Sequence, residues 1–125
     1  MVVDDEERLL RLMIRLLTSV GYRVTIFDKP EEALTAFRRT PGAFDLVITD
    51  YAMPQISGVE LGRLLLEERS DVPVLMVSGN ITEEEQETAR EDGVREFLAK
   101  PFTREEFLST VRNILDDCLS PSVIP

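Results

Sequence analysis

The chain has 125 residues, 43% of them hydrophobic and 30% charged, a composition that suits one globular domain with a single core. Its net charge of −10 excludes direct binding to nucleic acid or to an anionic membrane, and no apolar run approaches the ~20 residues a membrane span needs. The absence of histidine removes the commonest general base and zinc ligand, so any chemistry must come from carboxylates, lysine and hydroxyls. The start of the chain, "MVVDDEERLL", has acids where an export signal would be apolar. The lone Cys118 has no intrachain disulfide partner, and it reads as a small residue near a helix end rather than a reactive thiol. A soluble, cytoplasmic protein is the expectation.

Short β-branched runs alternate with stretches of helical period. "MVV" is the first strand candidate, and it leads directly into four consecutive acids, "DDEE". A helix follows, with Leu9, Met13, Leu16, Leu17 and Val20 on one face, arginines on the other, and Gly21 as its stop. "YRVTIF" predicts the second strand, and "DKPEEAL" a second helix with Asp28 as cap and Pro30 in the first turn. "FDLVITD" predicts strand three, "VPVLMV" strand four and "REFLA" strand five. The helices after them each open on a capping box: Ser57 with Glu60, Thr82 with Glu85, and Thr103 with Glu106. The closing "LSPSVIP" loses the helical period and reads as a tail. The chain therefore divides into a domain over 1–118 and a tail or linker stub over 119–125.

Five β-α repeats predict an α/β fold: a doubly wound, five-stranded parallel sheet of order 2-1-3-4-5 with helices on both faces. In such a sheet the functional crevice lies at the carboxyl ends of the strands, where the order reverses. The residues that fall there are Asp4 and Asp5 after strand one, Asp50 after strand three, Ser78 after strand four and Lys100 after strand five. Each alone has an ordinary reading as a helix-start acid, turn residue, loop hydroxyl or surface charge. Gathered at one edge, they point to a site. Three carboxylates so close repel one another unless a cation intervenes, and Mg²⁺, a small cation that prefers oxygen ligands, is the economical solution. Asp5 and Asp50 would ligate directly, Asp4 through water, and a backbone carbonyl just past Asp50 would join them. The ligand such a site suits is a phosphoryl group, with Lys100 and Ser78 on its oxygens and Asp50 as the acceptor.

These residues carry a resemblance. In "VVDDE", "DLVITDYAMPQISGVEL", "VPVLMVSGN" and "REFLAKPF", in that order and spacing, the chain resembles the receiver domain of two-component response regulators from Val2 to about Leu119. The resemblance implies a flavodoxin-like (βα)5 fold and an acidic Mg²⁺ pair, Asp4 and Asp5. It implies Asp50 as phosphoacceptor, Ala52 as the source of the backbone carbonyl, Ser78 as switch hydroxyl and Lys100 on the phosphoryl. Phe97 is implied as an aromatic switch, and the bond before Pro101 as cis. The implied partners are a sensor histidine kinase or a histidine phosphotransfer domain, with an output partner or a phosphorylation-dependent homodimer engaging the surface of helix four, strand five and helix five.

On this reading the domain is a phosphorylation-controlled switch, not an enzyme acting on a separate substrate. Ser78 and Phe97 stand where threonine and tyrosine are frequent in the family. Only Met1, Val2 and Val3 precede Asp4, where the family has a few more residues, so a short first strand is expected, from a sequence that begins late or was cut from a longer protein, and a stand-alone receiver and a fragment are both open readings. "GVREFLAKPF" and "DVPVLMVSG" look most like receivers of hybrid sensor kinases. Other readings are a docking module that is never phosphorylated and an aspartate-nucleophile phosphatase, which would want an acid where Ala52 stands. A flavin carrier is a further option, for which the acidic loop after strand one is wrong.

Overall fold

The computed structural model describes residues 1–119, and the tail expected over 119–125 lies outside them apart from Leu119, which ends the last helix. The strands are β1 (Val2–Val3), β2 (Ile26–Phe27), β3 (Val47–Asp50), β4 (Val74–Ser78) and β5 (Glu96–Ala99). The α-helices are α1 (Glu7–Ser19), α2 (Pro30–Arg39), α3 (Gly58–Glu68), α4 (Glu83–Glu91) and α5 (Arg104–Leu119), and one 3-10 turn, Pro41–Ala43, precedes β3. All strand pairs are parallel, in the expected order β2-β1-β3-β4-β5. Among the described residues, no helix is long and apolar enough to cross a membrane.

Alternation along the strands divides the core between the two faces of the sheet. Val2, Ile48, Leu75 and Val77 pack with Leu10, Met13 and Leu17 of α1 and with Phe107, Val111 and Ile114 of α5. Val3, Val47 and Val74 face Ala33 and Phe37 of α2 and Leu61 and Leu65 of α3. The strands β3 and β4 are buried throughout, which is why they read as continuous apolar runs.

Several local expectations are corrected. The buried stripe of α1 runs through Leu10, Met13 and Leu17, while Leu9 and Leu16 are half-buried and Val20, just past the helix, is 50% exposed. Gly21 does end α1: at φ 96° it lets its own N–H reach Thr18 O (3.1 Å) and the Tyr22 N–H reach Leu17 O (3.1 Å), a Schellman closure. Asp28 does not cap α2, since Lys29 holds that position without a side-chain bond, and Pro30 begins the helix. The capping boxes at Thr82 and Thr103 form in both directions, whereas at Ser57 only the hydroxyl half forms, accepting from Glu60 N. The strand expected over 22–27 shrinks to Ile26–Phe27. The ladder to β1 starts at Val2, whose N–H donates to Thr25 O (2.9 Å), so Tyr22, Arg23 and Val24 fall outside it.

Candidate functional site

Four of the five strands deliver a polar side chain to the same edge. Asp4 follows β1 and is fixed there by its own N–H, which donates to Phe27 O of β2 (3.1 Å). Asp50 is the last residue of β3 and lies opposite Val77 of β4. Ser78 ends β4, and its carbonyl accepts from Lys100 N (2.8 Å), which holds the lysine beside the strand end. The Lys100–Pro101 bond is cis.

The five crevice residues divide into a buried trio and an exposed rim. Asp4, Asp50 and Ser78 are buried, Lys100 is half-buried and Asp5 is exposed. Carboxylate oxygens of Asp4, Asp5 and Asp50 lie within 4.8 Å of one another. Lys100 Nζ donates to Asp50 Oδ1 (3.0 Å) and stands 3.6 Å from Asp4 Oδ2. Asp4 Oδ1 accepts from Glu6 N (2.8 Å), but Asp4 Oδ2 is buried without a hydrogen-bond partner among the described residues. A carboxylate oxygen in that position is costly.

Electrostatics follow from this geometry. Burial raises the Asp4 carboxyl from 3.8 to about 6; the Glu6 N–H opposes the shift, Asp50 repulsion adds to it, and Lys100 and Asp5 contribute lesser, opposing effects. Burial pulls the Lys100 ammonium down, but its hydrogen bond to Asp50 and the charges of Asp4, Asp50 and Glu6 outweigh that, leaving its pKa above the ordinary lysine value. One ammonium thus faces two acids, with a third acid on the rim. The donor set fits a hard divalent cation: converging carboxylate oxygens, one of them buried and unpartnered.

The other expected residues lie around this centre. Ser78 Oγ accepts from Asn80 N (3.3 Å). Ala52 is exposed in the loop after β3. Phe97 is half-buried on β5, opposite Met76, with the Arg90 guanidinium 5.0 Å from its ring centroid. Two residues escaped the sequence reading. Gly58, the first residue of α3, is buried, and a Cβ there would run into the Asp50 carbonyl oxygen and lie 2.8 Å from Met76 Sδ. Tyr51 donates its phenol to Glu85 Oε2 (2.6 Å), joining the residue after Asp50 to the first turn of α4. A glycine straight after a cap residue was the available signal for the first. Nothing in the sequence marked the second.

A doubly wound parallel sheet with an acidic, lysine-bearing crevice at its switch point defines the class: a small α/β domain with clustered carboxylates and one ammonium at the carboxyl ends of its strands. The family model for the response regulator receiver domain matches residues 1–112, and the chain belongs to that family. It is 37% identical over 101 residues to the putative two-component response regulator ARR21 of Arabidopsis thaliana, covering 81% of this chain and 16% of that protein. With the transcriptional regulatory protein BaeR of Escherichia coli it shares 30% identity over 118 residues, 94% of this chain and 48% of BaeR. The chain thus spans half or less of these relatives. A response regulator receiver domain from Clostridium thermocellum superposes with a TM-score of 0.87 at 28% identity, covering 93% of this chain and 92% of the other.

Proposed function

We propose that the domain is a phosphoacceptor switch in which Asp50 takes a phosphoryl group from a phosphohistidine on a sensor histidine kinase or a histidine phosphotransfer domain. The observation that carries this reading is the pairing of Asp50 with Lys100 at 3.0 Å inside a cluster that includes Asp4, with its unpartnered buried oxygen. An Asp50 carboxylate oxygen forms the new P–O bond as the donor P–N bond breaks, and the electron pair leaves on the imidazole. Lys100 holds Asp50 in place and then balances charge on a phosphoryl oxygen. Ser78 gives up its contact with Asn80 N and donates to a second oxygen. Asp4, Asp5, Asp50 and the Ala52 carbonyl would hold Mg²⁺, which when bound supplies neutralising charge for the incoming phosphoryl.

The residues that move then report outward. Ser78 begins the loop into α4, and Phe97 lies on β5 beneath Arg90, so the hydroxyl and the ring act on the face made by α4, β5 and α5. That face meets the output partner or a second copy of the domain. The reading assigns the domain to the cytoplasm and to signalling rather than turnover of a separate substrate. Intact mass after incubation with acetyl phosphate and Mg²⁺ tests it. A gain of one phosphoryl that is lost in Asp50→Ala and with a chelator is expected. A folded wild-type protein that gains nothing would leave a docking module instead.

A further inference from the structure

The helix α4 has a small grip on the sheet. Ala89 is its one buried residue, and it packs with Met76 and Val94, flanked by Tyr51, Val59 and Phe97. A cavity of about 290 Å³, lined by Tyr51, Ser57, Val59, Glu85, Thr88 and neighbours, lies along its inner side. Weak apolar packing leaves polar contacts to set where the helix sits. At its amino end one carboxylate makes two bonds: Glu85 Oε1 accepts from Thr82 N (3.1 Å) and Glu85 Oε2 from the Tyr51 hydroxyl (2.6 Å).

The two ends of that second bond are anchored differently. Tyr51 directly follows Asp50; its N–H donates to Val77 O (3.0 Å) and its carbonyl accepts from Gly58 N (2.8 Å), so its backbone is tied to β4 and α3. Glu85 belongs instead to the capping box of Thr82, four residues beyond Ser78. If Ser78 is drawn toward a phosphoryl on Asp50, residues 79–82 must follow, carrying Thr82 and Glu85, while Tyr51 stays with the sheet. The Tyr51–Glu85 bond is then the contact under tension.

We infer that the Tyr51–Glu85 hydrogen bond is a latch that holds α4 in its unmodified position and is released when Asp50 carries a phosphoryl group, so that Tyr51 and Glu85 are positioning residues for the switch. The inference rests on the phosphoryl reading above and adds to it the element that resists. By linkage, removing a contact made in only one state shifts the equilibrium toward the other and tightens whatever binds there.

The test uses the full chain, Tyr51→Phe and beryllofluoride with Mg²⁺ as phosphoryl analogue, read by hydrogen exchange over residues 82–91 and by titration. In wild type the analogue should speed exchange in the first turn of α4. In Tyr51→Phe exchange should already be fast without it, and the analogue should bind roughly three- to tenfold more tightly, the size expected for one hydrogen bond. A merely structural tyrosine would lower the melting temperature and leave that affinity unchanged, and this result overturns the latch. Wild type that binds the analogue with no change over 82–91 overturns it as well. Failure of wild type to bind the analogue at all refutes the phosphoryl reading itself, and the latch falls with it.

Discussion

Replacing Asp4 by asparagine should stabilise the protein while removing its response to Mg²⁺. The carboxyl is raised from 3.8 to about 6, a gap of about 2 pKa units, chiefly because it is buried. At 1.36 kcal/mol per unit, keeping Asp4 ionised in the fold near neutral pH costs about 3 kcal/mol. The folded carboxyl binds its proton more tightly than the unfolded one, so the contribution of Asp4 to stability is greatest below about pH 4. It falls as pH rises toward about 6 and levels off above. The substituted amide would still accept from Glu6 N through its oxygen, although Lys100 would lose the acid now 3.6 Å away. A gain of roughly 1–3 kcal/mol is expected at pH 7 in chelator, seen as a higher midpoint in urea and a melting temperature raised by roughly 3–6 °C per kcal/mol. The gain should shrink toward zero on acidification through the same window. Mg²⁺ should stabilise wild type and leave Asp4→Asn unmoved. A variant less stable than wild type at pH 7, or one whose advantage does not vary with pH, would refute the account of Asp4 as a strained buried charge.

Gly58→Ala places a methyl against the Asp50 carbonyl, which cannot rotate away as a side chain could. A loss of at least roughly 2 kcal/mol in urea unfolding is expected, with phosphoryl uptake reduced in the fraction that remains folded. An alanine variant as stable as wild type would show that α3 shifts freely. Lys100→Met leaves two buried acids facing each other without their cation. Stability at pH 7 should fall by roughly 1–3 kcal/mol and recover on acidification, and labelling by acetyl phosphate should drop at least about tenfold. Unchanged labelling would remove Lys100 from the site.

The crevice was legible because parallel β-α alternation sends every strand end to one side, so Asp4, Asp50, Ser78 and Lys100 could be placed together from order alone. Their burial was less legible. "DDEE" reads as a solvated helix start, yet Asp4 is buried and Asp5 exposed, since Asp4 still belongs to the ladder through Phe27 O while Asp5 lies beyond it. On α1 the expected Met13 and Leu17 are buried and Leu9 and Leu16 line the edge of the core, but Leu10 was missed and Val20 lies outside it, because a run rich in leucine offers several adjacent faces and tertiary packing chose Leu10. Asp28 looked like a cap by residue type, but the chain enters α2 one residue later, with Pro30 setting the start. Tyr51 and Glu85 meet across 34 residues through one side-chain contact, and no local pattern encodes such a pairing.

If Asp50 accepts a phosphoryl group as proposed, the cost carried by Asp4 and the weak grip of α4 would serve the same end. A site already relaxed in its unmodified form would gain little from a ligand, and a ligand can shift a conformational equilibrium only by the difference in its affinity for the two states. Here the buried oxygen of Asp4 lacks a partner, and Lys100 is left to face two acids. Interactions that satisfy this cluster therefore release free energy that the strained carboxylates otherwise hold. On the other side of Asp50, α4 is held by one buried alanine, the Tyr51 hydroxyl and Arg90 over Phe97, contacts small enough for that energy to break. Asp4→Asn and Tyr51→Phe thus probe the two halves of one balance. The first removes the strain that favours loading, and the second removes the restraint that opposes the response. Combining them should lower the analogue's affinity below that of Tyr51→Phe alone, and a double variant that binds it as tightly as Tyr51→Phe would show that Asp4 plays no part in loading.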